Sequence, residues 1–484
     1  MKTSPVNAFA GPAPLTKEIA DEPYHRDSAS WRDPAGCVFS FGGKIFRQVN
    51  RSFAREYGLL HTTGLYEELL ADGLMIPHEE VAEPIFDTSQ AHRILYPEQL
   101  PFISYPYEWS FAQLQDAALA TLRMQQKALK HGMTLRDASA FNVQPRRGTW
   151  ALIDTLSFEQ YKPGQPWIAY RQFCQHFLAP LALMAKVDPA LCGLFRNQLD
   201  GIDLNLAAKL LPWRTQLGLG LGLHVHAHAR FLRRFASAGQ ASQARGGQLS
   251  NRQLKRMLEH LESTVAGLKM RRSRSTWSEY YDSMLNYSEA AFSAKHAIIT
   301  DMLRELAPTT VWDLGANNGA FSRIAAEQGA HTIAWDLDHN CVQAAYEAGK
   351  QSGEQRILPL LLDLTNPSPD LGWAHQERHS LARRAARAKV DVVMMLGLIH
   401  HLSIGANVPL GHISRYAASL GETLIVEFVP KEDSQVRRLL SAREDVFAEY
   451  TRAGFEAAFK TDFMISGFVQ IPETERSLYI LKRK

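Results

Sequence analysis

The residues best suited to chemistry in this 484-residue chain lie in one run, Val311-Trp312-Asp313-Leu314-Gly315-Ala316-Asn317-Asn318-Gly319-Ala320-Phe321-Ser322, where an apolar strand pattern gives way to a helical one. At Gly315 and Gly319 no Cβ obstructs a ligand or a tight turn, and Asn317 takes a left-handed backbone more cheaply than most non-glycine residues. Asp336 stands at the tip of the next expected strand, about 20 residues on, where a carboxylate can accept hydrogen bonds from ribose hydroxyls. The dinucleotide pattern G-x-G-x-x-G/A is broken, because Asn317 occupies the place of the middle glycine. Asp313 faces the position a pyrophosphate would take, which disfavours a phosphate and favours a ligand with an ammonium group.

That combination points to S-adenosylmethionine. On these residues the stretch 277–484 resembles a class I S-adenosylmethionine-dependent methyltransferase. The resemblance implies that Asp313, Gly315 and Gly319, with Asn317 in the same turn, line the methionine end, that Asp336 holds the ribose, and that Asp363 in LLLDLTNP lies near the adenine. The segment Leu396-Gly397-Leu398-Ile399-His400-His401-Leu402 resembles the His-His-Leu segment of small-molecule methyltransferases, not the Asn/Asp-Pro-Pro-Tyr signature of enzymes that methylate amino groups. A small or carbohydrate-like acceptor, methylated at oxygen, is the expectation. His400 or His401 is the candidate general base, since a neutral imidazole can take a proton near neutral pH, and Glu427 at the end of the expected fifth strand is another. The phrases LGLIHHL and EFVPKEDSQV also resemble the methyltransferases grouped with the nodulation protein NoeA. Trp277, Tyr280, Tyr281 and Tyr287 precede the first helix of this part and either pack it onto the sheet or close over a sulfonium.

A second constellation lies in the first half. Arg136-Asp137 and Asn142 follow a long helical pattern, and Asp154 ends the strand Ala151-Leu152-Ile153. Phosphoryl transfer needs a carboxylate near the acceptor hydroxyl and a polar pair to hold Mg²⁺, roles that Asp137 and the pair Asn142 and Asp154 could fill. Residues 36–200 thus resemble a protein-kinase-like fold, which makes Mg-ATP a candidate ligand. The departures are a missing glycine-rich loop, Thr155-Leu156 where Phe-Gly would follow Asp154, and only Lys44 or Arg47 to grip phosphate. Glu67 or Glu68 is the expected partner of Arg47.

The elements that must position these groups follow from periodicity. CVFSFGGKIFRQV reads as a hairpin around Gly42-Gly43, Tyr66 to Leu74 as a helix, ILYPEQLPFISYPYEW as extended, and Phe111, Leu114, Ala118, Leu122 and Leu129 as one helical face. After Trp277 strands alternate with helices, the mark of a doubly wound parallel sheet, and two final strand patterns suit an antiparallel edge. The fold class expected is therefore α/β: a Rossmann-like methyltransferase sheet at 277–484, an α+β kinase-like domain at 36–200, a helical connector at 201–276 and a leader at 1–35. Ser237 to Ser250 reads as a flexible loop in that connector.

Composition bounds the rest. With 53 Lys plus Arg against 50 Asp plus Glu, the formal charge is +3, which argues against nucleic acid as a partner of the whole chain. Four scattered cysteines form no C-x-x-C pair, so neither a disulfide framework nor a zinc site is expected, and a reducing cytoplasm fits. The apolar run Val392–Ile399 falls far short of the roughly 20 residues of a membrane span. The leading expectation is a cytoplasmic S-adenosylmethionine-dependent methyltransferase. The alternatives are a bifunctional kinase-methyltransferase on a glycan, as in bacterial polysaccharide-capping enzymes that this combination resembles with its domains reversed, or a methyltransferase carrying a non-catalytic kinase-like binding module.

Overall fold

Gly42 and Gly43 both adopt positive φ, +57° and +69°, the two-residue hairpin geometry whose twist matches its flanking strands. In the computed structural model, which describes residues 24–237, 249–270, 287–441 and 443–484, this hairpin joins β2 (Gly36–Phe41) to β3 (Lys44–Asn50). With β1 (His25–Arg26), β4 (His78–Val81) and β5 (Ala91–Pro97) they form an antiparallel sheet of order β1-β2-β3-β5-β4. Phe39, Phe46, Ile94 and Tyr96 pack one apolar face of it. Helices Ala54–Thr62 and Leu65–Ala71 connect β3 to β4, and the long helix Phe111–Lys130 leads to the strand pair Val143–Arg146 and Thr149–Leu152. The helices Leu204–Leu210, His228–Ser237 and Asn251–Ala266 follow, and Leu254, Leu258, Leu261 and Val265 are all buried on the last of them, while most of the loop expected at Ser237 to Ser250 lies outside the described residues.

The second sheet has the alternation expected of it. Its strands are β6 (Thr310–Leu314), β7 (His331–Asp336), β8 (Ile357–Leu361), β9 (Val392–Met395), β10 (Thr423–Phe428), β11 (Phe463–Gln470) and β12 (Ser477–Arg483), in the order β8-β7-β6-β9-β10-β12-β11. The first five are parallel, while β12 runs antiparallel to β10 and β11 antiparallel to β12. This is a Rossmann-like, mostly parallel sheet with an antiparallel edge, as the sequence leads one to expect. The order reverses between β6 and β9, the switch point outside which open α/β sheets bind ligands. The central strands are buried on both faces, so β6 and β9 read as near-continuous apolar runs.

The chain divides into two compact units, residues 1–100, 115–269 and 370–378 in one, and 101–114, 270–369 and 379–484 in the other. The helices after 201 thus group with the first unit. Residues 101–114, read from the sequence with the first half, belong to the second, and the stretch read as wholly extended holds a short 3-10 turn at Pro106–Glu108. Aromatic packing explains the assignment: Phe102 meets Trp312 and Trp335 edge-on at 5.4 and 5.7 Å. Glu108 and Arg384, both nearly inaccessible to solvent, form a two-pronged ion pair, and the guanidinium lies 4.9 Å from the Phe102 ring centre and 4.3 Å from that of Tyr105. Phe102→Ala should therefore destabilise the second unit by roughly 3–5 kcal/mol, read from the denaturant midpoint, although Phe102 lies far from that unit in sequence.

Candidate functional site

The turn after β6 is built by three left-handed residues, Gly315 (φ +79°), Asn317 (+52°) and Gly319 (+78°), which swing the chain into the helix Ala320–Glu327. The backbone N–H groups of Gly315 and Ala316 both donate to the Trp335 carbonyl at 2.9 Å. Asn317 N–H donates to Asp336 Oδ2 at 2.7 Å, and Asp338 N–H to its Oδ1 at 2.8 Å. A Cβ at Gly315 would stand 3.2 Å from Leu398, so the glycine also keeps the turn close to the segment after β9.

These elements enclose a cavity of about 190 Å³ at the carboxyl ends of β6 to β9. Of the residues singled out from the sequence, Gly315, Asn317, Asp336, Asp363 and His401 line it. Asp313, Gly319, His400 and Glu427 do not. Asp313 lies behind the turn, buried, accepting the Ser322 hydroxyl at 2.6 Å, which fixes the turn from below. Burial pushes its carboxyl up to about 6, against the Ser322 hydrogen bond. Burial likewise raises Asp336 to about 6 despite its two backbone donors. Asp363 accepts both the backbone N–H and the hydroxyl of Thr365, which orient it at the end of β8.

The two histidines separate. His400 is fully buried, and neither ring nitrogen has a hydrogen-bond partner among the described residues. His401 lies against it with ring centres 4.0 Å apart and planes tilted by 40°, and it lines the cavity. Burial, aided by the Arg476 charge, lowers the His401 ring to about 4, so it is neutral at pH 7.

The sequence reading missed what lies against the cavity wall. Lys295 Nζ meets Glu427 Oε2 at 2.6 Å, Arg476 reaches Glu427 at 3.3 Å and Asp433 at 2.7 Å, and the Tyr287 hydroxyl donates to Glu427. Lys295, Glu427 and Arg476 are all inaccessible to solvent. Burial works against the Glu427 charge, but the two cations overcome it and hold the carboxyl at about 2. Glu427 is thus the counter-ion that Lys295 and Arg476 share. One signal was legible: Lys295 stands on the helix Glu289–Leu306 in register with the buried Ala291, Ile299 and Met302, an apolar face where an unpartnered lysine would be costly. Tyr287 joins this cluster, while Trp277, Tyr280 and Tyr281 lie outside the described residues.

In the first unit the expected partners are exchanged. Arg47 pairs with Asp154, not with Glu67 or Glu68, because β3 directs it toward the loop after Leu152. Glu68 is already held by Lys127 and His131. Asp137 accepts from Gln172 at 2.7 Å, from Asn142 at 3.1 Å and from the Ser139 backbone N–H. Asp154 accepts Ser157 Oγ at 2.9 Å on its other oxygen. The Arg47 guanidinium thus sits against one oxygen of Asp154 and the Ser157 hydroxyl against the other, and no group of three His, Cys, Asp or Glu side chains that could hold a metal occurs among the described residues.

Replacing the shared counter-ion tests the buried cluster. Glu427→Gln leaves Lys295 and Arg476 facing one another with too little negative charge, and should lower unfolding stability by about 3–5 kcal/mol in urea denaturation.

No protein-family model matches the chain. Among solved structures, the magnesium protoporphyrin IX methyltransferase ChlM of Synechocystis PCC 6803, determined with bound SAH, aligns at TM-score 0.31 and 17% identity over 43% of this chain and 95% of that one. The bifunctional kinase-methyltransferase WbdD aligns at 0.27 and 16% identity, over 40% of this chain and 40% of its own. The nodulation protein NoeA of Rhizobium meliloti (strain 1021) is 34% identical over 465 residues, spanning 95% of this chain and 96% of that protein. A match of that identity over nearly the full length of both chains shows that this protein belongs to the family of NoeA.

Proposed function

We propose that the second unit is an S-adenosylmethionine-dependent methyltransferase that acts at oxygen on a small-molecule or carbohydrate-like acceptor. The observation that carries this reading is Asp336, a half-buried carboxylate on the wall of the switch-point cavity, joined by its own hydrogen bonds to a glycine turn that lets a ligand approach the backbone. The cavity fits the nucleoside. Asp336 offers acceptors for the two ribose hydroxyls, and Trp335, Leu337, Leu362 and Leu364 offer apolar surface to a base beside Asp363.

Bound S-adenosylmethionine supplies an electrophilic methyl group. The protein's part is to place it and to manage one proton. Asp336 and the Gly315–Asn317 backbone orient the cofactor, and most of the acceleration comes from holding the acceptor in line. His401, neutral and facing the cavity, takes the proton from the attacking hydroxyl, while Glu427 stays ionised as the counter-ion of Lys295 and Arg476. His400, whose ring packs at a tilt against His401, helps to position the base.

Calorimetric titration with S-adenosylmethionine tests the reading. Asp336→Asn should weaken binding at least about tenfold, the effect of losing charge-assisted hydrogen bonds to two hydroxyls. The ionised carboxylate is the better acceptor, and its folded value is about 6, so wild-type affinity should decline as pH falls through 6, whereas the asparagine variant stays flat. With an acceptor in hand, His401→Ala should cut kcat by roughly 100-fold or more, and the wild-type kcat at saturating S-adenosylmethionine should hold down to about pH 5 because the ring protonates only near 4. Failure of the wild-type protein to bind S-adenosylmethionine would sink the proposal.

The Arg47–Asp154 pair favours a second reading for the first unit, a kinase-like binding module that performs no phosphoryl transfer. Phosphoryl transfer relies on Mg²⁺ held by a carboxylate, and here that carboxylate is already neutralised. Mg-ATP should then give no phosphorylated product, and Asp154→Ala should leave methyl transfer unchanged. ATP turnover abolished by Asp154→Ala would restore the bifunctional alternative.

A further inference from the structure

The run Leu217-Gly218-Leu219-Gly220-Leu221-Gly222-Leu223 in the first unit turns its leucines in opposite directions. Leu221 is buried, whereas Leu217 is 75% exposed, Leu219 84% and Leu223 54%. The glycines account for this. A Cβ on Gly220 would stand 2.6 Å from the Thr264 side chain on the helix Asn251–Ala266, and one on Gly222 would stand 2.6 Å from the Gln216 carbonyl. The glycine side of the run is therefore pressed inward, leaving these three leucines in water. Trp213, 66% exposed, and the partly exposed Leu210 belong to the adjoining turn and helix, which pack against the same segment.

The charge of the chain segments that flank this apolar tip is one-sided. Between Asp203 and Glu259 the sequence holds nine Lys and Arg and no Asp or Glu. Arg214 and Arg230 are exposed, and the Arg214 guanidinium lies 5.9 Å from the Trp213 ring centre. A second copy of the chain would bring like charge against like. A nucleic acid would satisfy the arginines but leave the leucines wet. An anionic bilayer satisfies both, because leucines enter the acyl boundary, tryptophan prefers the headgroup level, and arginines meet lipid phosphates.

We propose that the segment Leu210–Arg230 docks the protein peripherally on an anionic lipid surface. No helix among the described residues is long and apolar enough to cross a bilayer. The area that enters the membrane is small, so binding should be reversible and should weaken with salt.

Flotation of the purified full-length chain with vesicles distinguishes the possibilities. The protein should float with vesicles of equal parts phosphatidylglycerol and phosphatidylcholine and stay behind with phosphatidylcholine alone, and high salt should release it. The double variants Leu217→Ser with Leu219→Ser, and Arg214→Gln with Arg230→Gln, should each lower the partition by about tenfold, as expected for lost acyl insertion and lost phosphate attraction. All four side chains are exposed, so circular dichroism and thermal midpoints should match wild type, which separates lost docking from lost folding. Absence of flotation on either vesicle, or flotation indifferent to the leucine changes, would overturn the proposal. So would vesicle-inert protein that dimerises through the leucines in sedimentation, or that binds duplex DNA through the arginines.

Discussion

Three consecutive backbone N–H groups hold the second unit's site together. Those of Gly315 and Ala316 converge on the Trp335 carbonyl, and that of Asn317 reaches the Asp336 carboxylate. The convergence demands a chain that turns left-handed, which is why glycine and asparagine stand where side chains would otherwise hold a helix. It also means that the turn and the acid are not independently placed. Whatever moves β6 against β7 moves the ligand-facing backbone and the carboxylate together, so the sheet itself sets the spacing between them.

Behind this arrangement lies buried charge. Removing a single ion from water costs several kcal/mol, and only balanced, well-bonded groups tolerate it. Lys295 and Arg476 are balanced by Glu427 and Asp433, and Arg384 by Glu108. The first group has an effect beyond its own stability. Arg476 lines the cavity and adds a fixed positive charge to the burial that already disfavours imidazolium at His401.

Much of this was legible in the sequence because it is local. The left-handed Asn317, the Gly42-Gly43 hairpin, the acid at the tip of β7 and the buried face of Asn251–Ala266 each follow from neighbouring residues and a known period. What escaped depends on partners distant in the chain. Nothing near Arg47 indicates that Asp154 will claim it, and nothing near Glu427 indicates that two cations arriving from Lys295 and Arg476 will turn a candidate base into a counter-ion. His400 and His401 are adjacent in sequence, yet one is sealed in and the other faces the cavity, a difference set by the wide π-helical turn at His401–Gly405 and not by residue type.

The interleaving of the two units constrains how such a protein can be inherited or cut. Residues 101–114 complete the second unit and 370–378 complete the first, so neither unit is one continuous piece of gene. A fragment that starts at 277 carries every residue of the cavity but leaves Trp312 and Trp335 without Phe102, and Arg384 without Glu108. Recombination that exchanged one half for another would break both packings at once. The pair of units is therefore expected to travel through evolution as a single cassette, consistent with a relative that is alike from end to end.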